Sequence, residues 1–502
     1  MAKLHGWKME CGMFVLLCTA IAVEAHAQTF TSIANFNGTN GDYPYQMALV
    51  QGVDGNLYGT TANAAANARG NVFKITPQGI VTVVHAFCPS DNCTDGAVPY
   101  GGLVLANDGN LYGTTIIGGD LKCNPPEGCG TIFRINAQGG FSTIHRFAGA
   151  PSDGAAPFSP LLQASDGNLY GTTSGGGTGG AGTVFVLQPG GAVTTLYSFC
   201  YGCYDVGWDP QAALVEFLDG TLYGTTTAGG DLACFPDYGC GTVFRITKSG
   251  HLTTIHSFDL ADGAVPHSGL VVSGGGNLYG TTTQGGANCA NDPHSYCGTV
   301  FGIATQGNFT TLYSFCSQQG CPDGAGPWAN LIQGSDGNLY GTTAFGGTSQ
   351  ACYGSACGTI FQITDQGLFT TLHNFGDIDG AFIYDGLLQD TSGILYGTTS
   401  IGGDLTCVPP TGCGTAYTLD MGLGPFVAFV HASGRVGQTG GILGQGFTGT
   451  TSVMLNGVPA NFKVASDTYL TATVPPGATT GYVTVTTPTG MLTSNVPFHV
   501  IR

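Results

Sequence analysis

After residue 27 the chain carries sixteen cysteines, and all of them fall in close pairs. The pairs are Cys88/Cys93, Cys123/Cys129, Cys200/Cys203, Cys234/Cys240, Cys289/Cys297, Cys316/Cys321, Cys352/Cys357 and Cys407/Cys413. In an oxidising compartment an even set of this kind predicts eight local disulfides. Each small staple is expected to hold its own loop more than the global fold, since the entropy gain grows with loop length. Zinc is the rival ligand for closely spaced thiolates. The pairs lie in different repeat units and lack systematic His companions, so no metal site is expected. Cys200-Tyr-Gly-Cys203 has the spacing of a redox dithiol, but it stands alone.

Carboxylate chemistry has few candidates. Glycoside hydrolysis needs two carboxylates at a set separation. Beyond residue 27 only Glu127 and Glu216 are glutamates, and neither sits in a distinctive phrase. Gly-x-Ser-x-Gly, His-Glu-x-x-His and phosphate-loop patterns are absent, so no catalytic residue and no cofactor is assigned. The phrase Asp-Gly-Ala-x-Pro recurs at Asp95, Asp153, Asp262 and Asp323. It reads as a turn closed by an Asx hydrogen bond. One Asp per unit does not supply the six to eight oxygens of a Ca²⁺ site. His85, His145, His256 and His373 share one strand position, taken elsewhere by Tyr197 and Tyr313. On separate outer rims these imidazoles cannot converge on a metal.

The residue after that proline is more informative. It is Tyr45, Tyr100, Phe158, Gln211, His267 or Trp328, with Tyr384 at the matching place in the last unit. Rings with polar edges suit sugar faces or peptides. Tyr45, Tyr100, Phe158, His267, Trp328 and Tyr384 are therefore the ligand-binding candidates. The alternative is that they pack the tops of neighbouring units.

The elements that would position these residues come from a repeat. Leu-Tyr-Gly-Thr-Thr occurs seven times, centred on Tyr58, Tyr112, Tyr170, Tyr223, Tyr279, Tyr340 and Tyr396, at intervals of 53 to 61 residues. That is the period of a propeller blade or a solenoid. Each unit holds four strand candidates. Strand A is a short apolar run, followed by a turn such as Asp108-Gly109-Asn110. Strand B is the Leu-Tyr-Gly-Thr-Thr phrase. Strand C reads Gly-Thr-Val-Phe-x-Ile, and strand D reads Thr-Thr-Ile-His-Ser-Phe. Almost no helical periodicity is present, so four-stranded units in radial array fit best. The seventh unit stops after strand C, at Gly414 to Leu419, while Phe30 to Phe36 matches strand D. The N-terminal strand is thus expected to complete the last blade and close the ring, which removes open edges. Strand A then lines the axis, and the long B–C and D–A loops, which hold the cysteines, share one face. Variable loops on a rigid scaffold are where binding resides.

Composition sets outer bounds. The 502 residues include 85 Gly, with 42% hydrophobic and 10% aromatic residues, enough for large cores despite the glycine. The net charge of −18 excludes a basic nucleic-acid footprint. It also opposes docking on anionic lipid. Lys3 and Lys8, the apolar run Met13 to Val23 and Ala25-His26-Ala27 read as a signal peptide over residues 1–27. No later segment is long and apolar enough to be a membrane span. Residues 28–421 form the propeller expectation.

From Pro425 to Arg502 the repeat is gone and cysteine is absent. Short strands between turn signals predict a β-sandwich over 425–502. Gly437 to Phe447, Thr451 to Ala460, Thr471 to Gly477 and Gly481 to Thr487 resemble the IPT/TIG immunoglobulin-like domain. That resemblance implies a spacer, adhesive or docking module. The repeats, with Asp-Gly-Asn-Leu-Tyr-Gly-Thr-Thr and then Gly-Thr-Val-Phe-x-Ile, resemble the GloVer-type (Gloeo/Verruco) repeat of bacterial "choice-of-anchor" surface proteins. It implies a bacterial exported protein without an established activity. The expectation is an all-β chain: a seven-bladed β-propeller followed by an immunoglobulin-like β-sandwich. Its expected role is secreted, non-enzymatic binding of an extracellular glycan or protein. A structural envelope component and a propeller lyase or glycosidase are the competing readings.

Overall fold

The structure is a computed structural model that describes residues 28–45, 48–64, 68–89, 92–232, 234–289, 295–304, 307–349, 351–352 and 356–501. The expected signal peptide lies outside the described residues. The chain is all-β, and its one described helical segment is the single turn Tyr204–Val206. No described helix is long and apolar enough to cross a membrane.

Seven of the described sheets each contain one Leu-Tyr-Gly-Thr-Thr strand, and none closes on itself. Repeat 2 shows the plan. Strand A (Leu103–Leu105), B (Leu111–Thr115), C (Thr131–Ile135) and D (Phe141–Arg146) pair antiparallel in sequence order. The repeats are therefore propeller-like in their up-and-down order.

Each residue of the motif has a physical reason. The Leu is buried in every repeat. In four repeats the Tyr hydroxyl donates to the Asp of the preceding turn, as Tyr112 does to Asp108 at 2.8 Å. The Asn of that turn donates to the same carboxylate. The Gly must be glycine because the strand C aromatic lies on it: a Cβ on Gly341 would sit 2.5 Å from Phe361 Cζ. The first Thr reaches the next repeat, as Thr172 Oγ1 does in donating to Ala212 O at 3.0 Å. The second Thr bonds strand C inside its own sheet, as between Thr226 and Thr242 at 2.8 Å.

The N-terminal strand Thr29–Asn35 pairs antiparallel with Thr415–Asp420, the strand C of repeat 7. Phe30 stacks on His373 of repeat 6 at 3.7 Å. Phe141 stacks on His85, and Phe309 on His256, at the same distance. The N-terminal strand thus makes the inter-repeat contact of an ordinary strand D.

A second link joins every pair of neighbours. In each D–A loop one residue has φ between 52° and 59°: Tyr43, Val98, Ala156, Asp209, Val265, Gly326 and Phe382. Its N–H donates at 2.7 to 3.3 Å to the carbonyl of the residue just before the glycine that leads into strand C of the preceding repeat. Its own carbonyl accepts an N–H from the end of the following strand B region. The junction from repeat 7 to repeat 1, Tyr43 N to Cys413 O, has the same form.

The C-terminal residues build a separate core around Ile442, Phe447, Val453, Leu470, Val485 and Phe498. Thr439–Leu443 and Tyr469–Thr473 pair in one sheet, and Ser452–Leu455 and Val483–Thr487 in another. This unit lies on the A–B turns. Leu443 and Tyr469 join Leu103, Leu105 and Leu111 in one cluster. Thr468 Oγ1 donates to Val53 O at 2.9 Å, and Phe426 N to Thr391 O at 3.1 Å.

Two outcomes test this account. The left-handed region costs an L-residue about 1–2 kcal/mol, so Ala156→Gly should stabilise the protein by about 1 kcal/mol in urea unfolding. Gly341→Ala forces a methyl into Phe361 and should destabilise it by about 1–3 kcal/mol in the same assay.

Candidate functional site

The seven residues that follow the junction residue and its proline (Ile383 in repeat 7) form a row at the start of the strands A. Tyr100 neighbours Phe158 at 5.9 Å and Tyr45 at 4.9 Å between centroids. Tyr45 neighbours Tyr384 at 4.8 Å, and Tyr384 neighbours Trp328 at 5.5 Å. Trp328 stacks on His267 at 4.2 Å and 17°. His267 Nδ1 lies 3.1 Å from Gln211 Oε1. Six side chains separated by more than fifty residues of sequence are thus neighbours, and Gln211 continues the row. All seven are half-buried. Beneath them a cavity of about 180 Å³ is lined by Ala48, Leu49, Leu103, Ala329 and Gly386, with Phe158, His267 and Trp328 at its mouth. The rings therefore pack on one another, as the packing reading requires, and they also border a cavity.

Burial pushes the Tyr45 and Tyr384 hydroxyls well above the usual phenol range, with neighbouring tyrosines adding to the effect. Burial also pushes His267 down to about 4, so its ring is neutral at ordinary pH.

Repeat 4 departs from the others here. Where most repeats read Gly-Ala-x-Pro-aromatic, it reads Gly207-Trp208-Asp209-Pro210-Gln211. Asp209 Oδ2 accepts from Gln211 Nε2 at 2.9 Å, Thr227 Oγ1 at 2.9 Å and Tyr238 Oη at 3.0 Å. Burial raises its pKa, and these three bonds oppose the rise. Trp208 stands edge-on to Tyr201 at 5.1 Å and to Tyr238 at 4.7 Å. The signal for this site is in the sequence, as three departures from the repeat, Trp208, Asp209 and Gln211, around a retained Pro210.

The loops around the ring are stapled. The bonds are Cys88–Cys93, Cys123–Cys129, Cys200–Cys203, Cys234–Cys240, Cys289–Cys297, Cys316–Cys321, Cys352–Cys357 and Cys407–Cys413. Several of these cysteines also sit where neighbouring repeats meet. Cys93, Cys129 and Cys240 are buried within apolar clusters of the repeats. Cys129 O and Cys240 O accept the junction hydrogen bonds from Ala156 N and Val265 N, and Cys297, Cys357 and Cys413 do the same for the junctions that follow them. The physical reason is position: the second cysteine of each of these B–C pairs stands directly before the strand C glycine, where the junction lands. In the D–A pairs the second cysteine organises the turn instead. Cys93 O accepts from Gly96 N at 3.0 Å and Gly119 N at 2.9 Å. Cys321 O accepts from Gly324 N at 2.9 Å and Gly347 N at 2.8 Å. Cys93 and Cys321 both have positive φ, at 35° and 50°. These disulfides therefore anchor the frame of the repeats as well as the loops.

The zinc argument from separate repeat units also needs correcting, because Cys316 Sγ lies within 4.8 Å of the Cys289 and Cys297 sulfurs. Folding brings the B–C loop of repeat 5 against the loop that follows it. All three sulfurs are held in disulfides and offer no thiolate.

The D–A aspartates differ from the simple Asx turn as well. They reach backward. Asp95 accepts from Cys88 N at 3.1 Å and meets His85 Nε2 at 3.1 Å. Asp153, Asp262 and Asp379 hold His145, His256 and His373 at 2.7 to 2.9 Å. Tyr313 donates to Asp323 at 2.8 Å. Each carboxylate clamps its loop to the end of its own strand D, which explains the shared His position without a metal.

A second cavity, about 600 Å³, lies between repeats 3 to 6 and the C-terminal unit. Leu218, Val272, Val496 and Ile501 line it with Glu216, Lys248, His431 and Arg435. Glu216 Oε1 accepts from Lys248 Nζ at 2.7 Å and from Ser165 Oγ at 2.6 Å. Its Oε2 accepts from Ser165 N at 2.8 Å and lies 3.4 Å from His431 Nε2.

A family model described as the Gloeobacter/Verrucomicrobia repeat matches residues 19–150, 123–322 and 236–459. The chain belongs to that repeat family. No curated protein matches it. Among solved structures it is similar to the extracellular domain of a putative hybrid two-component system from B. thetaiotaomicron, at 11% identity and a TM-score of 0.47, over 94% of this chain and 57% of that one. It is also similar to a gluconolactonase from Xanthomonas campestris, at 14% identity and a TM-score of 0.38, over 76% of this chain and 96% of that one. Neither activity transfers to this chain at such distances.

Comparison among the Gloeobacter/Verrucomicrobia repeats of this chain explains Glu216. The same strand A position holds Gln51, Gln163, Gln333 and Gln389. Each of these accepts a backbone N–H from the A–B turn of the preceding repeat, as Gln389 Oε1 does from Ser335 N at 2.8 Å. Glu216 keeps that bond and adds a charge that recruits Lys248 and, from the C-terminal unit, His431. Burial works to raise its pKa, but the hydrogen bonds from His431, Lys248 and Ser165 and the lysine charge hold it down at about 2. A depressed carboxyl stabilises the fold above its unfolded value of 4.5 and loses that contribution as pH falls toward 2. Glu216→Gln should therefore cost about 2 kcal/mol in urea unfolding at neutral pH, and the gap to the parent should close on acidification.

Proposed function

We propose that the seven repeat sheets are the blades of a β-propeller over residues 28–421, closed by the N-terminal strand, and that residues 425–502 form an immunoglobulin-like module of IPT/TIG type. The protein is exported and binds a glycan on its loop-rich face without chemical turnover. Eight disulfides support an oxidising destination. The seven junction hydrogen bonds, the last of them returning to Tyr43, support the closed ring.

The observation that carries the binding reading is the continuous row of half-buried rings above a cavity. Ring faces pack on the C–H faces of sugars, while hydroxyl and imidazole edges meet sugar hydroxyls. The described loops that frame the row are cross-linked and clamped by aspartates, which reduces the ordering needed on binding. The C-terminal unit sits on the opposite, A–B turn side and leaves the loop face clear.

The test is binding of the oxidised full chain to immobilised bacterial and plant polysaccharides, beside a Trp328→Ala/Tyr100→Ala variant. The parent should bind saturably, and the variant at least about tenfold more weakly, since loss of central aromatic anchors typically costs about 2 kcal/mol or more. Equal binding by both proteins, or capture of peptides instead of polysaccharides, would remove the ring as a glycan site.

A further inference from the structure

The departures in repeat 4 define which glycans the loop face can take, an inference that rests on the binding reading above. A carboxylate accepts and cannot donate, so the Gln211 amide must turn its NH₂ toward Asp209 Oδ2, at 2.9 Å. Its Oε1 then faces His267 Nδ1, at 3.1 Å. An amide oxygen only accepts, so Nδ1 carries the hydrogen. Burial keeps that imidazole neutral at ordinary pH. A neutral ring protonated on Nδ1 presents Nε2 as an acceptor.

Asp209 adds a second acceptor. Its three side-chain donors among the described residues all meet Oδ2, so Oδ1 is the oxygen offered to a ligand. Its φ of 59° is the strained junction value. The equivalent residues are Tyr43, Val98, Ala156, Val265, Gly326 and Phe382, so Asp209 is the one carboxylate at this position in the seven repeats. The strand pairings put a small alanine at the preceding position in five repeats, but repeat 4 has Trp208. With Tyr201, which is 64% exposed, and Tyr238, it forms an aromatic wall beside the acceptors. The indole N–H groups of Trp208 and Trp328 have no acceptor among the described residues.

We propose that Asp209 and His267, aligned by Gln211 and flanked by Trp208 and Tyr201, form a recognition edge for a neutral, hydroxyl-rich oligosaccharide. Hydroxyl groups donate to both acceptors. Sugar rings cover the wall. An anionic sugar is disfavoured at this edge: the seven five-residue segments that enter the strands A contain neither Lys nor Arg, the chain carries a net charge of −18, and Arg69 of the repeat 1 loop is paired with Glu127. A uronate would instead meet the Asp209 carboxylate.

The experiment titrates the full oxidised chain with β-glucan, α-glucan and chitin oligosaccharides, and in parallel with oligogalacturonate, by calorimetry. Asp209→Asn removes the charge and keeps the shape. Tyr201→Ala alters an exposed ring and leaves the fold alone, so it reports even if the first variant folds poorly. Trp328→Ala serves as the collar control. We expect a neutral series to bind, oligogalacturonate to bind at least about tenfold more weakly, and both repeat 4 variants to lose at least about tenfold in affinity. Oligogalacturonate binding as tightly as the neutral sugars would overturn the inference. So would parent-like affinity in Asp209→Asn and Tyr201→Ala while Trp328→Ala fails to bind, an outcome that leaves the collar reading standing. No binding by any sugar of either charge would overturn the collar reading along with the inference.

Discussion

One backbone hydrogen bond, made at every junction, holds the repeats in sequence. Its donor is the residue before the proline in six D–A loops and before Ile383 in the seventh, and its acceptor is the carbonyl just ahead of the strand C glycine one repeat earlier. To make it, six L-residues and one glycine occupy the left-handed region. For Val98 and Val265 that conformation is unfavourable by about 1 kcal/mol or more, so it persists because the surroundings over-determine it. The buried proline that follows in six repeats packs over the glycine of the acceptor segment, as Pro266 does over Gly241. Glycine is required there because a Cβ on Gly241 would lie 2.5 Å from Thr226 O. Donor strain, proline packing and glycine spacing are three parts of one contact.

That contact also sets where variation is tolerated. The strands are bound by buried Leu, Phe and Thr with almost no room to change. The junction residue contributes its backbone to the link, so its side chain is free to be Tyr, Val, Ala, Asp, Gly or Phe. Two positions later the side chain points to the shared mouth and is free in the same sense. The loop face can therefore diverge without loosening the ring of contacts beneath it, and disulfides and Asp–His clamps keep it stiff as it does so.

The repeat is legible in the sequence because each of its residues has a local task visible in its type. Leu-Tyr-Gly-Thr-Thr encodes burial, a turn contact, a close approach and two hydroxyl bridges. The N-terminal strand is legible for the same reason, since Phe30 to Phe36 repeats the strand D pattern. The collar is legible as a row of rings after prolines, though its neighbour contacts are not. What stays hidden is chemistry made between repeats. Glu216 looks ordinary until Ser165, Lys248 and His431 converge on it from three separate segments. Asp95 looks like a local turn former, yet its partners are Cys88 N and His85, seven and ten residues back. Cys129 and Cys240 pair as their spacing suggests, but nothing in the spacing shows that their carbonyls receive the next repeat. Cys316 looks remote from Cys289 and Cys297 until two loops fold together. Residue type and spacing report a side chain's own capacity, and tertiary structure alone supplies the partner.

In a repeat protein, the repeat itself narrows that gap. Seven copies in one chain act as internal controls on one another, so a departure at a structurally constrained position needs its own physical reason. Val for Ile in strand C conserves volume and needs none. Glu for Gln at position 216 adds a buried charge, which must be paired to be tolerated, and a lysine, an imidazole and a hydroxyl meet it. Trp for Ala at 208 and Asp for an apolar residue at 209 place a large ring and a second buried carboxylate beside the mouth, and three donors meet the latter. Both departures lie in repeat 4, one at each end of strand A. At the A–B turn end the extra charge ties down the C-terminal unit. At the loop end the carboxylate gathers its three described donors on one oxygen, the arrangement on which the proposed recognition edge rests.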